Sequence, residues 1–151
     1  MACQWPGLDG EQFESGTLAW SKSSLYVPSM DHSPGFLKIV NEARVKVREV
    51  TLDQAKAALA ANPKAVLLDV REDAEWAAGH AAGAQHLGKG VLERDIEKQF
   101  PDPNAEIIMY CGGGYRSALS ADVAQRMGYS NVTSLIGGYK ALVQAHWKTE
   151  K

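Results

Sequence analysis

The sequence predicts an α/β domain built on a parallel sheet. Two continuous apolar runs, Ala65–Val70 and Glu106–Cys111, have the pattern of strands buried on both faces. Strand-like runs alternate with helical stretches of seven to twelve residues, the pattern of βα units. Glycine, proline and capping residues punctuate the chain between them.

The elements follow in order from residue 33. Ser33-Pro34 reads as an N-cap followed by proline in the first helical position, and Phe36, Leu37, Val40 and Ala43 recur at helical spacing. Lys46–Val50 alternates as a short strand. Thr51-Leu-Asp-Gln54 is a capping-box pattern opening a helix to about Ala61, which stops at Asn62-Pro63. After the Ala65–Val70 strand comes a short helix, Glu72–Ala78, ended by Gly79. Gly88 to Arg94 reads as a loop and helix start near the carboxyl edge of the sheet. After Glu106–Cys111, Ser117–Met127 is a helix closed by Gly128. Val132–Ile136 reads as the last strand, Gly137-Gly138 as a turn and Tyr139–Trp147 as the final helix.

Residues 1–32 differ from the rest. They hold five Ser, three Gly, two Pro and two Trp without a followable period, and carry −3 against +1 for residues 33–151. The segment reads as a tail, unstructured or lying on the domain surface. Met30 reads as a second start position, which would make residues 1–29 an upstream extension; Trp5 and Trp20 favour docking instead.

Composition narrows the function classes. The 151 residues are 45% apolar and 23% charged with a net charge of −2, so no basic field points to nucleic acid or an anionic membrane as partner. No run of 18 apolar residues is present, and the N-terminus lacks the basic start and apolar core of a signal peptide. Two cysteines, Cys3 and Cys111, cannot build a disulfide framework. The expectation is a cytoplasmic enzyme or binding module, with a monomer favoured. The four histidines show no metal-ligand spacing and neither cysteine lies in a C-x2-C pair, so no metal or cofactor is expected.

In parallel sheets ligands bind beyond the carboxyl ends of the strands, where Asp69 and Cys111 fall. The candidate site is Cys111-Gly112-Gly113-Gly114-Tyr115-Arg116-Ser117. Three glycines let the backbone curl so that N–H groups point inward as an anion nest, and a helix N-terminus adds positive charge there. A free thiol is only a few per cent ionised at neutral pH, and both a helix N-terminus and a cation such as Arg116 favour the thiolate.

This loop resembles the active-site loop of the rhodanese family of sulfurtransferases. Asp69-Val-Arg71-Glu-Asp-Ala-Glu75-Trp76-Ala-Ala-Gly79-His80-Ala-Ala-Gly83-Ala84 resembles the family's first signature, and Gly137-Gly138-Tyr139 its C-terminal one. Ala81 departs from the pattern, which has a larger aliphatic residue there, and should loosen the packing beneath the loop. The resemblance covers about residues 46–147. It implies a rhodanese-like three-layer fold with five parallel strands flanked by helices. It also implies a ping-pong reaction in which the Cys111 thiolate takes sulfur from a small anionic donor such as thiosulfate, and a thiophilic acceptor such as cyanide removes it. The loop residues would hold the anions. A sulfur carrier that hands its persulfide to a partner protein is the alternative. Related phosphatases and arsenate reductases use C-x5-R, often after His. Here Tyr110 precedes the cysteine and the spacing is C-x4-R, a smaller cradle suited to one sulfur atom.

Asp69 and Arg71 are expected as scaffold charges bracing the loop, with Arg71 within reach of substrate; a solvated pair or an Arg71–Glu75 contact is the plainer alternative. His80 is expected as a hydrogen-bonded structural histidine. Lys89 and Arg94 either steer anions toward the site or form a solvated face. Tyr115 either walls the pocket or packs within the loop. Cys3 reads as incidental.

Overall fold

The computed structural model describes residues 32–151, so the tail with Met30, Trp5, Trp20 and Cys3, and what the sequence suggests for it, lies outside the described residues. Helix α1 (Pro34–Lys46) leads into β1 (Arg48–Val50) and α2 (Leu52–Ala61). Strand β2 (Val66–Asp69), helix α3 (Asp73–Ala78) and two short strands, β3 (His80–Ala81) and β4 (Gln85–His86), follow. A 3-10 turn at Lys89–Val91 precedes α4 (Leu92–Gln99) and β5 (Ile107–Tyr110). Then come α5 (Tyr115–Arg126), β6 (Val132–Leu135), α6 (Gly138–Gln144) and β7 (Thr149–Glu150).

Five strands form a parallel sheet in the order β1-β6-β5-β2-β4. The α/β class and the five-stranded parallel sheet implied by the family resemblance are therefore both present. The central pair is in register from Val66↔Ile107 to Asp69↔Tyr110, which brings the ends of β2 and β5 side by side. Alternation along the strands divides the core. Leu68, Ile107 and Met109 pack with Leu92 and Ile96 of α4 and Ala121 and Ala124 of α5. Leu67, Ile108 and Tyr110 pack with Ala55 of α2 and Leu142 of α6. Both faces are covered by helices, which is why the strands read as unbroken apolar runs.

Several boundaries differ from the sequence reading. Helix α1 continues through Lys46, so the first strand shortens to Arg48–Val50. The capping box at Thr51 is present, with Gln54 N–H donating to the Thr51 side chain and Thr51 N–H to Gln54 Oε1. The last helix ends at Gln144 rather than Trp147. His146 turns the chain at φ +59, and the Trp147 indole N–H donates back to the Ala82 carbonyl at 3.3 Å. Strand β4, at the edge of the sheet, is only Gln85–His86, too short to give a period. An antiparallel pair, β3 with β7, was equally silent in the sequence. Beneath the loop, Ala81 is fully buried, and its amide N–H donates to the Tyr110 hydroxyl oxygen at 3.2 Å. The large Tyr110 ring packs in the same cluster as the small residue. No helix among the described residues is long and apolar enough to cross a membrane.

Candidate active site

Strand β5 ends at Tyr110 and delivers Cys111 into the core, 1% exposed. Helix α5 begins at Tyr115, two residues earlier than the sequence suggested, so Arg116 and Ser117 lie in its first turn. Of the three loop glycines only Gly114 has positive φ, at +96, where it caps the helix. The reading that all three supply such curvature is corrected to one. A Cβ on Gly114 would stand 3.2 Å from the Leu135 carbonyl, so glycine is needed for fit as well as for φ. A Cβ on Gly112 would meet the Arg116 guanidinium at 3.2 Å, whereas Gly113 would meet only the Tyr115 ring at 3.7 Å. The Gly114 amide donates to Cys111 Sγ at 3.1 Å, and the Ser117 hydroxyl lies 3.5 Å from the sulfur. The sulfur thus sits against the first turn of α5, where the helix dipole favours negative charge.

The second glycine motif supports this loop from behind. Tyr139 N–H donates to the Cys111 carbonyl at 2.7 Å, and Lys140 N–H to the Gly112 carbonyl at 3.2 Å. For the backbones to approach so closely, Gly138 must lack a side chain. At its φ of +53 a Cβ would overlap the Cys111 carbonyl oxygen and crowd two loop carbonyl carbons at 3.0 Å.

The positive charge expected at the loop has a partner that the sequence reading did not name. Arg116 Nη1 and Nη2 donate to Glu75 Oε2 and Oε1 at 2.7 and 3.0 Å, a bidentate pair joining α3 to the active loop. Glu75 also accepts the Glu72 amide at 3.0 Å. The Arg116 hydrogen bond, aided by that amide, holds the Glu75 carboxyl below its ordinary range despite partial burial. The same bond raises Arg116. Glu75 therefore contacts Arg116, and the proposed Arg71–Glu75 contact is replaced by it.

Asp69 and Arg71 form a buried pair, with side chains 0% and 6% exposed, and not the solvated pair weighed as the plain alternative. Arg71 Nη2 reaches Asp69 Oδ2 at 2.7 Å and the Gly79 carbonyl at 2.7 Å; its guanidinium lies 4.1 Å above the Tyr139 ring. Burial opposes the Arg71 charge, and the Asp69 hydrogen bond and charge outweigh it, leaving its pKa raised. Its Nε and Nη2 donors are held by Asp69 and the Gly79 carbonyl, between the strand end and the Gly137-Gly138-Tyr139 support.

His80 is buried in β3; its Nδ1–H donates to the Trp76 carbonyl at 3.0 Å, and its ring stacks on Trp76 at 3.4 Å. Arg94 pairs with Asp95 on the exposed face of α4, and Lys89 lines a groove with Lys46 of α1 and Arg126 of α5. Tyr115 stacks on Phe36 at 6.3 Å and carries the Arg44 guanidinium 4.7 Å over its ring, so α1 grips the outer end of the loop. The sequence reading missed Glu75 as the Arg116 partner, Ser134 behind Ser117, and the α1 residues. Only Glu75 had a signal, since it stands within the first signature. Among the described residues no group of three His, Cys, Asp or Glu could hold a metal.

Comparison with known proteins decides the family, because the model of the rhodanese-like domain matches residues 51–145. The chain belongs to the rhodanese-like family. It is 34% identical over 85 residues to the thiosulfate sulfurtransferase GlpE of Pseudomonas fluorescens, covering 56% of this chain and 72% of that protein. It is 26% identical to YrkF of Bacillus subtilis, a protein named for a proposed sulfur-carrier role, covering 66% of this chain and 53% of YrkF. The chain thus spans about half the length of YrkF and less of some other relatives. A solved Rhodopseudomonas palustris structure of unknown function, described as a possible tyrosine phosphatase, matches with a TM-score of 0.68. It is 29% identical, covering 80% of this chain and 98% of its own. This is a family of sulfurtransferases and sulfur carriers, and the rhodanese-like domain supports sulfurtransferase activity in general terms.

Proposed function

We propose that this rhodanese-like domain moves sulfane sulfur through a persulfide on Cys111, with thiosulfate as a competent donor. The Cys111 thiolate attacks the outer sulfur of thiosulfate; the Sγ–S bond forms, the donor S–S bond breaks, and sulfite leaves with the electron pair. Cyanide then attacks the outer persulfide sulfur, thiocyanate departs, and the thiolate returns. Each stage keeps an anion at the cradle. The amides of Gly112, Gly113, Gly114 and Tyr115 and the Ser117 hydroxyl are assigned to hold it, with Asp69, Arg71 and His80 bracing the loop. The observation that carries this reading is the Cys111 sulfur 3.1 Å from the Gly114 amide at the start of α5.

Likeness to YrkF favours a second reading, in which the persulfide is passed to a partner protein and thiosulfate turnover is slow. A phosphatase role is disfavoured: the C-x4-R spacing makes a smaller cradle than the C-x5-R of related phosphatases, and two Arg116 donors are held by Glu75. The deciding experiment incubates the protein with thiosulfate and weighs the Cys111 peptide. One added sulfur atom is expected, with none in Cys111→Ser at unchanged far-UV circular dichroism. Persulfide and turnover retained in Cys111→Ser would overturn the mechanism. Rapid loading from a small persulfide with little thiosulfate turnover selects the carrier, and hydrolysis of p-nitrophenyl phosphate with no sulfur uptake selects the phosphatase.

A further inference from the structure

Behind the sulfur lies a second hydroxyl. Ser117 Oγ, 3.5 Å from Cys111 Sγ, is 2.7 Å from Ser134 Oγ, and both serines are 0% exposed. Ser134 comes from the end of β6, in register with Met109, two residues before the cysteine along the neighbouring strand. We propose that Ser134 is a positioning residue for the sulfur chemistry, aiming the Ser117 hydroxyl at Cys111 Sγ and letting that hydroxyl reverse as the sulfur changes charge. The inference rests on Cys111 being the reacting sulfur.

A serine in the first turns of a helix has a competing partner in the carbonyl four residues back. One turn along, Ser120 does turn back, donating to the Arg116 carbonyl at 2.9 Å. For Ser117 the equivalent acceptor is the Gly113 carbonyl, inside the loop. Ser134 offers a hydrogen bond on the other side and keeps Ser117 Oγ beside the sulfur.

A hydroxyl carries one donor and two acceptor sites, so a pair of them reverses without leaving either unpaired toward the other. With a protonated sulfur, S–H donates to Ser117 and Ser117 donates to Ser134. With an anionic sulfur, Ser117 donates to the sulfur and Ser134 donates to Ser117. No covalent bond is made in this reversal. A chain of two donors ending on an anion also strengthens the final hydrogen bond, and more so where water is absent. An alanine at 134 would remove the holding partner, so the Ser117 hydroxyl turns to the loop carbonyl and the anionic sulfur loses a donor.

The test is the rate at which iodoacetamide alkylates Cys111, because only the thiolate reacts. Ser134→Ala is expected to slow alkylation near neutral pH about 3- to 10-fold, the range for the net contribution of one ordinary hydrogen bond. The rates should converge at alkaline pH once thiolate formation no longer limits either protein. Ser134→Thr, which keeps a hydroxyl, should restore most of the neutral-pH rate. In a Ser117→Ala background, Ser134→Ala should add nothing, because its only route to the sulfur has gone. A wild-type rate for Ser134→Ala, or an equal fall with and without Ser117, would overturn the inference. Alkylation needs no sulfur donor. Loss of thiosulfate turnover beside intact Ser117–Ser134 coupling would count against the proposed function and leave this role standing.

Discussion

Gly138→Ala tests how the loop is supported. The substitution places a Cβ where the backbone of the catalytic loop already lies, at φ +53 and 3.0 Å from the carbonyl carbons of Cys111 and Gly112. Carbon atoms in contact are ordinarily about 3.5–4.0 Å apart, so loop and helix must separate by roughly 0.5–1 Å. A left-handed residue with a Cβ costs about 1–2 kcal/mol. Lengthening the hydrogen bonds from Tyr139 and Lys140 to the Cys111 and Gly112 carbonyls adds about 0.5–1.5 kcal/mol each. The expected loss is about 2–5 kcal/mol, or a fall in Tm of roughly 4–20 °C for a chain of this size. Displacement of a nucleophile by nearly 1 Å should lower turnover per folded molecule by on the order of 10²-fold. The assay pairs a thermal melt with sulfur-transfer turnover at a temperature where the variant is folded. Gly137→Ala is the control. It is also at positive φ, at +78, but its Cβ would press on Ala141 Cβ at 2.9 Å, away from the loop. It should destabilise while sparing turnover per folded molecule. If Gly138→Ala keeps wild-type turnover, or Gly137→Ala loses as much, the reasoning fails.

The remaining predictions concern charge. With Glu75 held low by Arg116, their ion pair contributes fully above the carboxyl's ordinary value of 4.5, and the contribution is lost as pH falls through the lower folded value. Acid melts should therefore show a smaller loss in Glu75→Gln than in the parent between about pH 5 and 3. Near neutral pH the two single variants should act on alkylation in opposite directions. Glu75→Gln leaves Arg116 uncompensated and speeds it, whereas Arg116→Ala leaves a bare carboxylate and slows it; the same sign for both would refute the pairing. Asp69→Ala strands a buried guanidinium and should cost about 3–5 kcal/mol in chemical denaturation, with much of it recovered in Asp69→Ala/Arg71→Leu. A loss below about 1 kcal/mol would mean that Arg71 escapes to water.

Much of the fold could be read locally. Two unbroken apolar strands, the Thr51 capping box and the closing Gly128 are signals carried within a few residues, and each falls where it was expected. Strand β4 escaped because two residues carry no period, and β3–β7 because its partners lie nearly seventy residues apart. At the site, Cys111, the glycines and Ser117 share one loop and were legible as a unit. Glu75 and Ser134 were not, because each reaches the loop from another element, by way of Arg116 and Ser117.

The sequence by itself determined the class of fold, the family and the placing of a cysteine between a buried strand and a helix start, since these depend on local pattern and motif order. Only the tertiary structure decided how the charges are used. The sequence suggests an Arg116 cation at the far end of the loop and an Asp69–Arg71 brace, with a solvated pair as the plainer alternative, and names no partner for Arg116. In the fold Arg116 is neutralised by Glu75, and Arg71 is buried against Asp69 and Tyr139. The physical reason is that a charge takes its partner from whatever lies within a few ångströms, and parallel strand packing sets that neighbourhood across tens of residues. The groups that the fold sets against the Cys111 sulfur are the Gly114 amide at 3.1 Å, the Ser117 hydroxyl at 3.5 Å and the first turn of α5.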